Sequence, residues 1–89
     1  MVASVIRRIT LERCKAVTGR TGDARSTHYK KIQDGLFTKP VRLGPRSVGW
    51  PSTEVDALVA ARIAGKSDAD IRALVCQLEA ARKHAEGER

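Results

Sequence analysis

The chain has few aromatic residues, no long apolar run and no obvious leader. Its only aromatic side chains are Tyr29, Phe37 and Trp50, 3 % of 89 residues, whereas proteins that bind single strands stack bases on several aromatics. No apolar stretch approaches the roughly 20 residues that a membrane span needs, and no secretory leader opens the chain. We therefore expect a cytoplasmic protein with no membrane partner.

Cysteines and the usual signatures of enzymes are also scarce. Cys14 and Cys76 lie far apart, each in an apolar helical pattern, which is typical of reduced core thiols rather than of a disulfide. With His28 and His84 they lack the paired spacings of zinc ligands. The sequence also has no phosphate-cradling glycine loop and no HExxH motif. We expect no metal, no cofactor and no catalytic activity.

Acidic residues are scarce in the first half of the chain. Residues 1–50 contain 11 Lys or Arg and only 3 Asp or Glu, whereas residues 51–89 contain 6 and 7. The net charge of +7 therefore arises in the first half. A field polarised in this way favours a polyanionic partner, nucleic acid before an acidic membrane surface, over a neutral metabolite.

Apolar spacing predicts a short first helix. Thr10 is a good N-cap and Gly19 a good C-cap, and the apolar residues between them recur every three positions: Leu11, Cys14 and Val17. Residues 20–24 have the composition of a turn, in which Asp23 is suited to cap the next helix.

A second helix is predicted over residues 25–34, ending at Gly35. His28 and Ile32 lie one turn apart and are the expected inward positions. Five of the other positions fall on a polar, basic outward face: Arg25, Ser26, Tyr29, Lys30 and Gln33.

Residues 36–50 predict a β-hairpin that carries only positive charge. Pro40 forbids a helix, residues 41–43 and 47–50 are typical of two strands, and residues 44–46 form the turn between them. The cations of this segment are Lys39, Arg42 and Arg46. No acidic residue lies between Asp34 and Glu54 to neutralise them.

Two amphipathic helices follow. Ser52 is the expected N-cap of the third helix, which should end at Gly65. The apolar stripe of this helix is Val55, Leu58, Val59 and Ile63. We expect Trp50 to be buried beneath it.

The last helix should begin at Ser67, with an apolar stripe of Ile71, Leu74, Val75, Leu78, Ala81 and Ala85. This stripe is too short for a stable coiled coil by itself. The last helix therefore either completes the small core or pairs with its copy in a homodimer.

Two short helices joined by a glycine-containing turn and followed by a basic hairpin have the layout of a winged helix-turn-helix. A helix of this length fits the major groove of DNA, and flanking cations can neutralise phosphates. We predict a mainly α fold with a small β-hairpin, divided into a winged helix-turn-helix over residues 1–66 and a C-terminal amphipathic helix over residues 67–89.

Three motifs in the sequence are specific: Arg-Ser-Thr-x-Tyr at 25–29, Lys-Pro-Val-x-Leu-Gly-x-Arg at 39–46 and Gly-Trp at 49–50. With the runs around them, they resemble the AlpA-type prophage regulators, which are akin to phage excisionases and to the DNA-binding domain of MerR-type regulators. The resemblance covers about residues 9–64. It implies a protein that binds double-stranded DNA as a transcriptional regulator or excision factor, with an integrase or RNA polymerase as further candidate partners.

The resemblance places the start of a recognition helix at residues 25–29 and a wing at residues 39–46. Together with the outward face, it gives one expected DNA-binding set: Arg25, Ser26, Thr27, Tyr29, Lys30, Gln33, Lys39, Arg42 and Arg46. The chain departs from the family in a longer turn between Gly19 and Arg25 and in four side chains: His28, Lys31, Thr38 and Leu58.

Two other functions remain open from the sequence. A basic adaptor for RNA is one, because a protein that recognises the shape of duplex RNA does not need exposed aromatics. A protein-interaction module whose last helix docks on a larger partner is the other.

Overall fold

A computed structural model describes residues 9–87, and the side chains of residues 9–83. The elements follow the order β1 (Leu11–Glu12), α1 (Cys14–Thr21), α2 (Arg25–Gln33), β2 (Val41–Gly44), β3 (Ser47–Pro51), α3 (Ser52–Ile63) and α4 (Asp68–Gly87). This is the predicted fold class, a mainly α winged helix-turn-helix with a C-terminal helix. Residues 1–8 of the expected first domain, and the side chains of His84 and Ala85, lie outside the described part.

The hairpin belongs to a three-stranded antiparallel sheet of order β1-β3-β2, whose first strand the sequence did not predict. Leu11 pairs with Pro51 and Glu12 with Trp50. The main-chain carbonyl of Thr10 accepts a 2.7 Å hydrogen bond from the Ser52 N–H, and the Thr10 N–H donates to the Ser52 hydroxyl at 3.1 Å. The expected helix start at Thr10 and side-chain cap at Ser52 are therefore wrong, because these groups bond to each other.

The turn between the first two helices is short. Helix α1 continues through Gly19, the expected C-cap, and ends at Gly22, which has φ +80° and donates its N–H to the Thr18 carbonyl at 2.8 Å. Only residues 22–24 then separate α1 from α2, which matches the three- to four-residue connection of helix-turn-helix motifs. The longer distance between Gly19 and Arg25 is taken up by helix and does not lengthen the turn.

One small core joins α1, the sheet, α3 and α4. Its buried apolar residues are Val17, Phe37, Trp50, Val55, Leu58, Ile71 and Val75. The expected burial of Trp50 is confirmed, since its side chain is fully buried. Ile71 and Val75 are only 1 % and 5 % exposed, so α4 folds back onto the core and covers this part of its stripe within the chain.

Four apolar side chains expected inside are at the surface. Leu11 is 47 % exposed because it lies in the two-residue strand β1 and not on a helix, and Ala81 of α4 is exposed too. Ile63 is 82 % exposed because it ends α3 at the rim of an open cleft of about 300 Å³, which Leu36 and Val59 also line. Cys76 is exposed because it lies one helical step beyond Val75, outside the buried stripe of α4. Both cysteines are free thiols, as expected, and Cys14 is half-buried. No helix within residues 9–87 is long and apolar enough to cross a membrane.

Candidate nucleic-acid interface

Helix α2 exposes most of the side chains that the sequence assigned to its outward face. Arg25, Ser26, Lys30 and Gln33 are exposed, and so is Thr27 beside them. Their spacing places them along one side of a nine-residue helix, with Thr27 at its edge. The structure therefore brings the predicted α2 residues together on one polar surface.

The opposite side of α2 is fixed by His28, which is fully buried. Its ring lies edge-on to the rings of Phe37 and Trp50, with both centroids at 4.8 Å. Neither ring nitrogen has a hydrogen-bond partner among the described residues. Burial lowers the pKa of His28 below its ordinary value; the charge of Asp23 opposes this shift and that of Lys31 adds to it. His28 is therefore a neutral packing residue at neutral pH.

Tyr29 connects the exposed surface of α2 to the core. Its ring is half-buried and lies 6.3 Å from the Trp50 ring, centroid to centroid. The guanidinium of Arg25 lies 5.8 Å from the centre of the Tyr29 ring. A cation over an aromatic ring contributes about 0.5–1 kcal/mol at an exposed site. Arg25 is thus held beside Tyr29, with its charge in solvent.

The hairpin exposes the three cations predicted for it. Lys39, Arg42 and Arg46 are all exposed, and the turn between the strands consists of Pro45 and Arg46. Arg42 pairs with Val48 across the sheet, and the register then shifts before Gly44. An irregularity of this kind breaks the alternation of a strand, which explains why Arg42 and its neighbour Leu43 are both exposed.

Ion pairs divide the cations of residues 9–83 into two groups. Arg20 pairs with Glu12 and Asp56, and the remaining paired cations are Lys30, Lys31, Arg62 and Arg82. No carboxylate among residues 9–83 lies within ion-pairing distance of the other predicted DNA-binding cations, which are Arg25, Lys39, Arg42 and Arg46. Four of the five cations in the predicted set are therefore positive charge that the described residues do not neutralise.

Lys30 is the exception within the predicted set. Its ammonium lies 3.4 Å from the Asp34 carboxylate one turn later, and both side chains are exposed. Such a pair contributes only about 0.3–0.5 kcal/mol, so exchanging it for another anion costs little. Lys31 differs, because its half-buried ammonium lies 2.8 Å from Asp23.

The pairing of Asp23 with Lys31 leaves the start of α2 without a side-chain cap. The residue at the N-cap is Ala24, and no side chain there accepts a hydrogen bond from the helix. The expected role of Asp23 as N-cap is therefore wrong, because its carboxylate is held by an ammonium two turns into the helix.

Sequence reasoning did not single out five further cations that are exposed and have no carboxylate within ion-pairing distance among the described residues: Lys66, Arg72, Lys83, Arg13 and Lys15. Arg13 and Lys15 lie at the start of α1. Their sequence neighbourhood contains Glu12, and only the structure shows that Glu12 pairs with Arg20 instead, at 2.6 Å.

Comparison with known proteins agrees with the resemblance of the sequence. The family described as Prophage CP4-57 regulatory protein (AlpA) matches residues 10–63. The uncharacterized protein ORF88 of Enterobacteria phage P4 is 47 % identical over 45 residues, which are 51 % of this chain and 51 % of that protein. The chain thus spans about half the length of this curated relative, and no solved structure matches it. The match to the family extends over more than half of the chain, which therefore belongs to the AlpA family of prophage regulatory proteins.

Proposed function

We propose that this chain binds double-stranded DNA in a sequence-dependent way and thereby acts as a prophage regulator. Helix α2 enters the major groove, and the hairpin contacts the backbone or the adjacent minor groove. The observation that carries the proposal is the group of exposed cations without a carboxylate partner among the described residues of α2 and the hairpin: Arg25, Lys39, Arg42 and Arg46.

Phosphate oxygens supply the anions that Lys39, Arg42 and Arg46 lack, and base edges in the major groove supply acceptors for Arg25. Cations that bind phosphates release condensed counterions, and this release makes binding favourable and strongly dependent on salt. Lys30 joins Arg25 at little cost, since its bond to Asp34 is long and exposed. The position of α2 against Trp50, through His28 and Tyr29, supports one rigid unit of helix and hairpin.

The uncapped start of α2 supports a phosphate contact at that end. The first N–H groups of a helix have no partner within the helix, and those of α2 have no side-chain cap. Ser26 and Thr27 expose their side chains in this first turn. Helix N-termini and hydroxyls of this kind commonly bind DNA phosphates.

Family membership supports a finer role, which is part of the same proposal. A DNA-binding prophage regulator activates or represses transcription, or bends DNA for excision, and its further protein partner is then RNA polymerase or an integrase. A search for a specific site by selection from random duplexes, followed by mapping of that site relative to promoters and attachment sites, distinguishes these roles.

A charge-matched pair of variants tests the proposal. Arg46→Ala removes an exposed hairpin cation with no carboxylate partner among the described residues, whereas Arg62→Ala removes a cation that lies 3.7 Å from Asp68. Each variant lowers the net charge by one. We expect Arg46→Ala to weaken binding to all duplexes and to reduce the salt slope by about one unit, and Arg62→Ala to do much less. Equal effects would mean that net charge alone drives binding.

A further inference from the structure

The main chain of Lys39, just before the hairpin, is held by two side chains of α4. The Lys39 N–H donates a 2.9 Å hydrogen bond to Oε2 of Glu79, and the Lys39 carbonyl accepts a 2.7 Å bond from Nη2 of Arg82. Glu79 and Arg82 are three residues apart and therefore lie on the same side of the helix. Both backbone groups of Lys39 are bonded, while its side chain stays exposed.

Glu54 fixes the orientation of the Arg82 side chain that bonds to Lys39. The guanidinium donates to both carboxylate oxygens of Glu54, from Nε at 2.8 Å and from Nη2 at 2.7 Å. Glu54 is only 4 % exposed, so this fork is anchored on α3 at the edge of the core. Bidentate pairs of this type fix geometry as well as contributing energy.

The neighbouring residue, Thr38, is anchored on the core itself. Its carbonyl accepts a 2.8 Å hydrogen bond from the indole Nε1–H of Trp50. Two consecutive main-chain positions are thus fixed, one by β3 and one by α4. Strand β2 begins two residues later, and β3 is the only element with which it makes substantial contact within the described residues. The hairpin is packed on the core through β3, which contacts β1, α1 and α3, so the contacts with α4 bear on β2, the edge strand that carries Arg42.

We infer that Glu79 and Arg82 are positioning residues, which hold the hairpin where Arg42 and Arg46 meet the DNA. This inference rests on the proposed function. Both residues lie outside positions 10–63, the part matched by the family, so the contact adds a role for α4 that the family match does not supply. Helix α4 then acts on DNA binding without touching DNA.

The first test needs no DNA. Amide hydrogen exchange is measured by NMR for the wild-type chain, for Glu79→Ala and for the control Lys83→Ala, which removes an exposed charge next to Arg82. Loss of the acceptor should speed exchange at residue 39 and residues 41–44 about fivefold to tenfold, as expected for one lost hydrogen bond, while core amides such as that of Val55 keep their protection. Unchanged exchange at these positions, or equal acceleration throughout, would overturn the inference.

The second test is a double-mutant cycle on duplex binding. If α4 positions the hairpin, Glu79→Ala lowers the salt slope by up to about two units, one for each of Arg42 and Arg46. Arg46→Ala then costs less affinity in the Glu79→Ala background than in the wild type. Arg82→Lys, which keeps the charge but lacks the planar fork, should act in the same direction.

The two proposals fail in different ways. Wild-type binding with additive losses and an unchanged salt slope would overturn the positioning role alone. Absence of duplex binding by the wild-type chain would overturn the proposed function, whatever the exchange measurements give.

Discussion

The indole N–H of Trp50 donates a 2.8 Å hydrogen bond to the main-chain carbonyl of Thr38, twelve residues earlier. Trp50 is fully buried and is the next-to-last residue of β3, while Thr38 leads into the hairpin and is fully buried too. This bond closes the base of the hairpin and satisfies the one donor of the indole. The ring of Trp50 also contacts His28 and lies within 6.3 Å of Tyr29, so a single side chain links the hairpin to the exposed helix α2.

Stability should fall in mildly acidic solution because of His28. Its pKa is lowered from 6.5 in the folded chain by burial, so the unfolded chain binds a proton at pH values where the folded chain does not. Above pH 6.5 the buried neutral ring makes its full contribution to the free energy of unfolding. This contribution is lost as the pH falls below 6.5 towards the lowered pKa. Urea unfolding at a series of pH values should show this loss, with a slope of at most about 1.4 kcal/mol per pH unit.

The variant His28→Leu identifies the origin of that loss. It removes the buried titrating group and should flatten the profile below pH 6.5. A profile that keeps its slope in His28→Leu would contradict the assignment.

Two glycine substitutions should have opposite effects on stability. A Cβ at Gly49 would lie 3.0 Å from Cδ1 of Leu43 and 3.2 Å from the Glu12 carbonyl oxygen, so Gly49→Ala should lower the free energy of unfolding by roughly 1–3 kcal/mol through overpacking. Gly19 lies inside α1, where a Cβ would meet nothing within 4 Å, and Gly19→Ala should raise the free energy of unfolding by roughly 0.5–1 kcal/mol. Chemical denaturation measures both, and a neutral Gly49→Ala would show that β1 and Leu43 adjust freely.

Residues of α2 should differ from those of the hairpin in what they contribute to binding. Arg25→Ala and Lys30→Ala should each cost about 1–3 kcal/mol at particular base pairs, as loss of direct base contacts does. Arg46→Ala should instead weaken all sequences alike. Binding to a selected site and to single-base variants of it distinguishes the two, and equal losses on every sequence would remove Arg25 and Lys30 from the base-reading set.

The fold of α4 predicts a monomer. Since Ile71 and Val75 are buried within the chain, the stripe that favours a homodimer is already largely covered. Sedimentation at micromolar concentration should give the monomer mass, and Leu74→Asp should lower stability without changing that mass, because Leu74 packs against the core. A dimeric wild type that becomes monomeric in Leu74→Asp would support the homodimer instead.

Patterns along the sequence predicted the elements that local periodicity determines. Helix α2, the hairpin and the inward position of His28 follow from helical spacing and from Pro40, and all are present. Strand β1 has only two residues, too few for an alternating pattern, so its pairing with β3 was not visible.

The end of α1 and the pairing of charged side chains were not predicted, because local patterns along the sequence do not determine them. Gly19 and Gly22 are both able to end a helix, and only the packing of α1 decides between them. Glu54 and Arg82 are 28 residues apart, so nothing local indicates that they pair and that Glu54 is buried. The division of cations into paired and unpaired groups, on which the candidate site depends, is likewise a long-range property.

The most direct test of the central claim is fluorescence anisotropy of a labelled random DNA duplex titrated with the wild-type chain at several salt concentrations, with duplex RNA as competitor. We predict binding that weakens steeply as salt rises, by about one unit of slope for each phosphate contacted, and that duplex RNA competes poorly. Preference for RNA would favour the RNA adaptor. No binding even at low salt would contradict the claim and leave a protein-interaction module as the remaining function.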